Sequence, residues 1–418
     1  MKTLASVIPM AATIALTPEK RLRTGRSVWS DTPHPQLATR ALSRPLQCDI
    51  AIVGAGISGA FMAEALSRHY ANVLVLDRRA PAMGSTHAST AMLQYEIDTP
   101  LTELSDRIGH ARAARAWCRS FAATQSLVRL VRAEKISCGF EDRSALYLAG
   151  DEMGGRGMEK EARARRRAGL DCEFLSGSEL KARYGIARTG AIFSQGAATA
   201  DPVALARGLL RRAKARGARI FAPCDVRDAM ATRQGVMLDA GGWFVEAKAA
   251  VFCTGYEVLK AIPDQGAEIT SSWAAATAPH ADYPDWLDHT LVWEASTPYL
   301  YMRTGPQGQL IVGGEDAELD SPSYRAGTLG LKARKLADKT SRLLPVLKPK
   351  WTHVWAGAFG ESKDGLPVIG AVPGMPHCFA VMGFGGNGTV YSMLAAQLMP
   401  GLIKGRPPRD AELFAFRP

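Results

Sequence analysis

The chain has 418 residues, 47% hydrophobic and 22% charged, a balance that supports two domains with buried cores and excludes a disordered chain. Its net charge of +11 sits mainly in Arg156–Arg167 and Arg207–Arg219, stretches that read as solvated helix faces, with RNA or an anionic membrane as the minor reading. Seven cysteines without CxxC spacing favour free thiols and a reducing, cytoplasmic compartment; eight histidines without HExxH or paired spacing predict no metal, and no stretch approaches a membrane span.

In chain order, Lys2 followed by Leu4–Leu16 looks faintly like a signal peptide, but Pro9 interrupts it, so residues 1–26 are expected to be a flexible tail. Next comes Cys48–Gly59, CDIAIVGAGISG, a strand, a glycine turn and a helix start. Gly54 allows the tight turn, Gly56 lets the backbone approach a pyrophosphate, and Gly59 lets the helix pack close to the strand. Ala55, Ile57 and Ser58 complete the turn, which aims the free N–H groups and positive end of the helix at phosphates. Val73–Asp77 is a second strand ending in a carboxylate that can bind both hydroxyls of an adenosine ribose, with Arg78 beside it. Flanked in this way, the glycine pattern predicts a dinucleotide site.

The run Gly84–Leu93, GSTHASTAML, is small and rich in hydroxyls, suited to backbone lying against a flat ligand. Its candidate contacts are Gly84, Ser85, Thr86, Ser89, Thr90, Ala91 and Met92. Glu96 and Asp98 follow; they could hold a cationic amine, with solvated loop carboxylates as the commoner reading. Thr102–Glu134 has a helical pattern and Ala145–Leu148 reads as a short strand. Asp201–Pro202 is an N-cap followed by proline at the first helical position; Val203, Ala206, Leu209, Leu210 and Ala213 then mark one apolar face, closed by Gly217. Arg219–Val226 is expected to be the next parallel strand. Ala250–Tyr256 is an apolar strand that ends in a second close backbone approach at Cys253, Thr254 and Gly255. Leu291–Arg303 and Gln309–Gly314 are expected strands, with Tyr301 and Arg303 on one side. Gly383–Thr389, GFGGNGT, opens a last apolar helix through Met399 that Pro400–Gly401 should stop.

These segments, in this order, resemble the FAD-dependent amine and amino-acid oxidase superfamily of glycine oxidase, sarcosine oxidase and D-amino-acid oxidase. The resemblance runs from about Ser27 to Met399, and its most specific part is Trp355–Gly370, WAGAFGESKDGLPVIG, followed by GFGGNG. It implies FAD and an α/β fold in which a Rossmann-like FAD-binding domain (27–100, 191–267 and 346–418) is interleaved with a mixed-sheet α+β substrate domain (101–190 and 268–345). The flavin ring would sit between the two domains. Val226 backbone would contact the adenine. Gly357 and the loop residues Gly385, Gly386, Asn387, Gly388 and Thr389 would approach the flavin, whose reduced form is stabilised by N–H groups at a helix start. The implied reaction is hydride transfer from a carbon bearing a neutral amine to flavin N5, giving an imine that water hydrolyses, with oxygen or another electron acceptor as partner.

The departures narrow this expectation. Glycine-oxidase-like members carry a carboxylate-pairing arginine where this chain has Phe359, so a simple α-amino acid substrate would need Arg303 or Lys363 instead. Sarcosine-oxidase-type members attach FAD to a cysteine near the position of Gly357, and none occurs here, so non-covalent FAD is expected. Their oxygen-activating lysine corresponds to Ile311. Lys363, Tyr301, Arg303 and His87 are the candidates for a catalytic or substrate role; for Lys363 the competing reading is a structural ion pair with Asp364 or Glu361, and for His87 a local hydrogen bond. The expected activity is oxidation of a C–N bond of a small amine or N-substituted amino compound. The alternatives are an RNA-directed, tRNA-modifying flavoenzyme and a non-catalytic flavoprotein subunit; nucleic acid is not the expected partner.

Overall fold

The strand Leu46–Val53 lies inside an eight-stranded sheet because its last four residues are apolar and buried on both faces, the pattern of a parallel strand covered by helices. The computed structural model describes residues 17, 19–34, 36–257, 260, 265–383 and 385–416, and among these the chain forms two sheets. In the first, Cys378–Met382, Trp243–Phe252, Leu46–Val53, Val73–Leu76 and Arg219–Phe221 run side by side, each adjacent pair parallel. Val368–Ala371 closes one edge antiparallel. The helix Ile57–Leu66 is buried from Gly59 to Leu66 because it packs on this sheet and also on the helices Pro202–Ala215 and Gly388–Ile403. At Pro202–Ala215 the local signal is realised: the Asp201 carboxylate accepts the N–H groups of Val203 and Ala204 at 2.9 Å each, a cap of about 1 kcal/mol.

The second sheet has ten strands, in the order Arg23–Arg26, Trp351–Ser362, Ala267–Thr277, Leu310–Ala317, Leu300–Thr304, Thr290–Glu294, Glu141–Leu148, Gly190–Thr199 and Met92–Leu93, with Cys172–Ser176 also on Gly190–Thr199. All its pairs are antiparallel except Thr290–Glu294 with Glu141–Leu148.

Several elements differ from the sequence expectation. Arg23–Arg26, assigned to the tail, is an edge strand, because Trp351–Ser362 offers it an open edge and Gly25 (φ +80) lets it come close: a Cβ there would meet Val354 O at 2.4 Å. Residues 1–16 and 18 of that tail lie outside the described residues. Trp351–Ser362 and most of Gly190–Thr199 belong to the second sheet, although the expected boundaries put them in the first domain. Thr102–Glu134 is two helices, Leu101–Ile108 and His110–Ala133, broken at Gly109 with φ +88. The strand from Arg219 ends at Phe221, ahead of Pro223, which has no N–H for a ladder; Val226 opens an antiparallel strand, Val226–Ala231. Leu291–Arg303 is a hairpin, Thr290–Glu294 and Leu300–Thr304. Pro400 does not stop the last helix, which continues to Ile403; so near the end a proline costs one hydrogen bond and no more of the ladder.

The Arg-rich stretches are not simply solvated faces. On the helix Gly155–Arg167, Arg165 is fully buried; Arg212 and Arg216 pair with Glu134, and Arg216 also with Glu64. All seven cysteines are free, and six of them are buried. Among the described residues no helix is long and apolar enough to cross a membrane.

Candidate functional site

A cavity of about 810 Å³ is lined by residues of both sheets, and the glycine turn opens onto it. Gly54, at φ +109, reverses the chain so tightly that a Cβ there would lie 2.3 Å from Cys253 O. Thr86 Oγ1 accepts the Ile57 N–H at 2.9 Å, tying the Ser85–Ala88 turn to the start of the helix. The Asp77 carboxylate accepts from Ala55 N at 2.5 Å and from Arg79 N at 2.7 Å. Burial nevertheless holds the Asp77 carboxyl above its ordinary value. Gly54, Gly56, Ile57, Ser58, Asp77, Arg78, Cys253, Thr254, Gly255 and Val226 all line the cavity; Ala55 and Gly59 stand one layer behind.

Two buried indoles hold the next wall. Trp29 Nε1 donates to Ser89 O at 2.7 Å and Trp355 Nε1 to Ala88 O at 2.8 Å, which fixes the backbone of the Gly84–Met92 run against the cavity. Gly84, Ser85, Thr86, Ser89, Thr90, Ala91 and Met92 line it there, opposite Gly357 and Phe359. The glycine loop is pinned at three points: Gly385 N to Gly360 O (2.7 Å), Gly386 N to Asp98 Oδ2 (2.6 Å) and Asn387 Nδ2 to Glu96 O (2.6 Å). Gly385, Gly386, Asn387, Gly388 and Thr389 line the cavity; Phe384 lies outside the described residues.

The four catalytic candidates separate. Tyr301 and Lys363 line the cavity. Arg303 does not: it is buried, and its guanidinium is spent on backbone carbonyls, Nε to Thr90 O at 2.7 Å, Nη2 to Ala200 O at 2.9 Å and Nη1 to Thr304 O at 3.1 Å. His87 is also buried away from the cavity lining, with Nδ1 2.9 Å from Ser27 Oγ. Burial, with Arg23 second, pushes the His87 imidazole down to about 4. Glu96 is no solvated loop carboxylate: it is buried, takes a hydrogen bond from Ser194 Oγ and faces Arg165.

Sequence reasoning passed over Glu268, Asp316 and Tyr299 and gave Glu361 only a partner's role. Tyr299, Glu268 and Glu361 line the cavity, and the Tyr299 hydroxyl donates to Asp316 Oδ2 at 2.8 Å. The position of Glu361 was readable, since it stands two residues after Phe359 on one strand and so shares its face. Glu257 was also missed; it binds Arg79 (2.6 and 2.8 Å) and Lys20 N (2.7 Å), fastening the N-terminal segment beside Asp77.

These residues fit FAD. A helix N-terminus and close-approach glycines suit a pyrophosphate, and Asp77 suits a ribose. Ser85 Oγ, on a residue that lines the same cavity, is buried without a protein hydrogen-bond partner among the described residues, as a polar atom awaiting a ligand would be.

The FAD dependent oxidoreductase family matches residues 49–400. Glycine oxidase of Geobacillus kaustophilus is 23% identical over 85% of this chain and 93% of its own length. The crystal structure of glycine oxidase from that species superposes with a TM-score of 0.73 at 20% identity, covering 89% of this chain and 99% of the other. The tRNA 5-methylaminomethyl-2-thiouridine biosynthesis bifunctional protein MnmC of Cupriavidus necator is 22% identical over 91% of this chain, which spans 62% of that protein. With a match that runs through most of its length and a cavity built for the cofactor, the chain belongs to the FAD dependent oxidoreductase family.

Proposed function

We propose that the protein oxidises the C–N bond of a small amine or N-substituted amino compound. The observation that carries this reading is the convergence, in one cavity, of the cofactor-binding glycines with a chamber walled by Phe359, Tyr299 and Tyr301. FAD, when bound, accepts the hydride that leaves the substrate carbon, so that the C–N bond becomes an iminium, which water converts to a carbonyl and an amine. The chain's own work is to orient the substrate and exclude bulk water, which requires no strong base. The relative from Geobacillus is named for glycine, yet Phe359 cannot pair with a carboxylate, and Arg303 is held by three carbonyls outside the cavity lining. An amine without a carboxylate is therefore the favoured class. Anaerobic bleaching of the flavin by a panel of amines and amino acids tests the reading; bleaching by none of the amines would overturn it.

Phe359→Arg is expected to gain roughly tenfold or more in apparent affinity for amino acids, the worth of a charge-assisted bidentate pair, and to lose affinity for plain amines. Steady-state saturation curves for both classes measure it; no change in the ratio would remove Phe359 from the substrate wall.

The cofactor is expected to be non-covalent, because Gly357 offers no thiol and His87 is engaged by Ser27 outside the cavity lining. Flavin that stays with the polypeptide through denaturing electrophoresis would contradict this. Seven free cysteines support a reducing, cytoplasmic location.

A second reading, action on an amine carried by RNA, is favoured by the likeness to MnmC and the charge of +11. Salt-sensitive binding of tRNA in the range of about 50–200 mM salt would support it.

A further inference from the structure

The most unusual feature of the cavity is its surplus of acceptors. Glu268 on Ala267–Thr277 and Glu361 on Trp351–Ser362 are direct cross-strand partners, an arrangement of like charges that destabilises a sheet. Asp98 lines the same cavity, and Asp316, behind the lining, is joined to it through Tyr299. Among the described residues none of the four forms an ion pair. Gln94 Oε1 is a buried acceptor with no hydrogen-bond partner among the described residues, and Gln94 lines the cavity at 6% exposure; Asp316 takes the Tyr299 hydroxyl and has Ser272 beside it. Four basic side chains also line the cavity: Arg78 and Arg79 are paired with Glu257, Arg107 is bound to Glu103 and to Lys363 O, and Lys363 lies against Gly266. Asp98, Glu268 and Glu361 are solvent-exposed within the open cavity; partial desolvation there, then Asp98, Asp316 and Glu268, pushes the Glu361 carboxyl up to about 7, and burial pushes Asp316 to about 6. An anionic dinucleotide brings phosphates and does not supply the missing positive charge.

We propose that this acidic chamber takes a substrate with a second, permanently protonated nitrogen, an α,ω-diamine or longer polyamine, whose remote ammonium pairs with Glu361, Glu268 and Asp98, the carboxylates of its lining. The inference rests on the amine-oxidising reading above and refines it. The reacting nitrogen must be neutral for its lone pair to expel the hydride, so the carboxylates serve the far end of the molecule. The near end meets Phe359 and Tyr301.

The holoenzyme is tested with 1,4-diaminobutane, 1-aminobutane and 4-aminobutanoate, by anaerobic flavin reduction and by calorimetric binding. The diamine is expected to half-saturate at a concentration at least about tenfold below the monoamine, with the amino acid weakest. Glu361→Gln and Glu268→Gln, each read separately, are expected to shrink the diamine-to-monoamine ratio to under about threefold and to raise the melting temperature by relieving the cross-strand repulsion. An amino acid that binds as well as the diamine, or a ratio unmoved in both variants, overturns the inference while leaving amine oxidation standing. Selective diamine binding without bleaching by any amine does the reverse: the chamber is upheld and the oxidation reading falls.

Discussion

Gly59→Ala is expected to yield a protein that no longer retains FAD. A Cβ at position 59 would lie 1.8 Å from Gly54 O and 2.8 Å from Gly54 C, so the clash is with backbone and no side chain can rotate out of its way. Neither partner can yield cheaply. Gly54 is held at φ +109 against Cys253, and the helix Ile57–Leu66 is buried among its neighbours. The helix must therefore lift off the sheet, and its N-terminus moves with it. A loss of at least about 3 kcal/mol, near a hundredfold in FAD affinity, is the expected size. Gly327→Ala is the control, a helical glycine outside the cavity lining whose Cβ would meet nothing within 4 Å. Calorimetric titration of FAD into the two apoproteins separates the cases; Gly59→Ala with unaltered affinity would refute the role given to this glycine.

The second large effect is on stability. The Arg165 guanidinium is fully buried, with Nε 2.8 Å from Glu161 Oε1, Nη1 3.9 Å from Glu96 Oε1, and its carbon 4.5 Å from the centre of the Trp117 ring. The Glu161 carboxylate in turn caps the helix Leu101–Ile108, accepting Leu101 N and Thr102 N at 2.9 Å each. Burial drives the Glu161 carboxyl up, but Arg165 and Thr102 together more than offset this and hold it below its ordinary value. Arg165→Met removes the only cation of this group and strands two buried carboxylates, a cost of about 3–5 kcal/mol. On the same helix Arg163 forms an exposed pair with Glu159, so Arg163→Met is expected to stay within about 0.5 kcal/mol. Adding Glu96→Gln to Arg165→Met is expected to recover about 1 kcal/mol or more by removing one of the stranded charges. Urea unfolding of the four proteins measures these differences. Equal stability of the Arg163 and Arg165 variants would show that the buried pair contributes nothing. Because Glu96 O also holds Asn387, the same cluster supports the wall of the candidate site.

The cofactor half of the molecule was legible from Cys48 to Asp77 because a strand, its turn, its helix and the next strand are contiguous in the chain. Each residue there has a role that neighbours in sequence impose: a positive φ at Gly54, close packing at Gly59, a carboxylate at the end of the second strand. The Asp201 cap was legible for the same reason. The order of the later segments carried the family resemblance, since WAGAFG and GFGGNG are local patterns too.

What only the tertiary structure decided is the company each charged side chain keeps. Arg165 and Arg163 are two residues apart on one arginine-rich helix, and composition treats them alike; one is buried and the other solvated because only the inner face of that helix meets Trp117 and Tyr147. Arg303 was a plausible carboxylate partner until the crossing of Thr90 and Ala200 gave its guanidinium three carbonyls. Asp98, Glu268, Asp316 and Glu361 come from four separate segments, and strand pairing in the second sheet with the pinning of the glycine loop places Asp98, Glu268 and Glu361 around one cavity, with Asp316 behind Tyr299. Backbone turns and caps are set by neighbours in the chain, whereas burial, ion pairing and the charge of a chamber depend on contacts between distant segments, which exist only once the chain has folded.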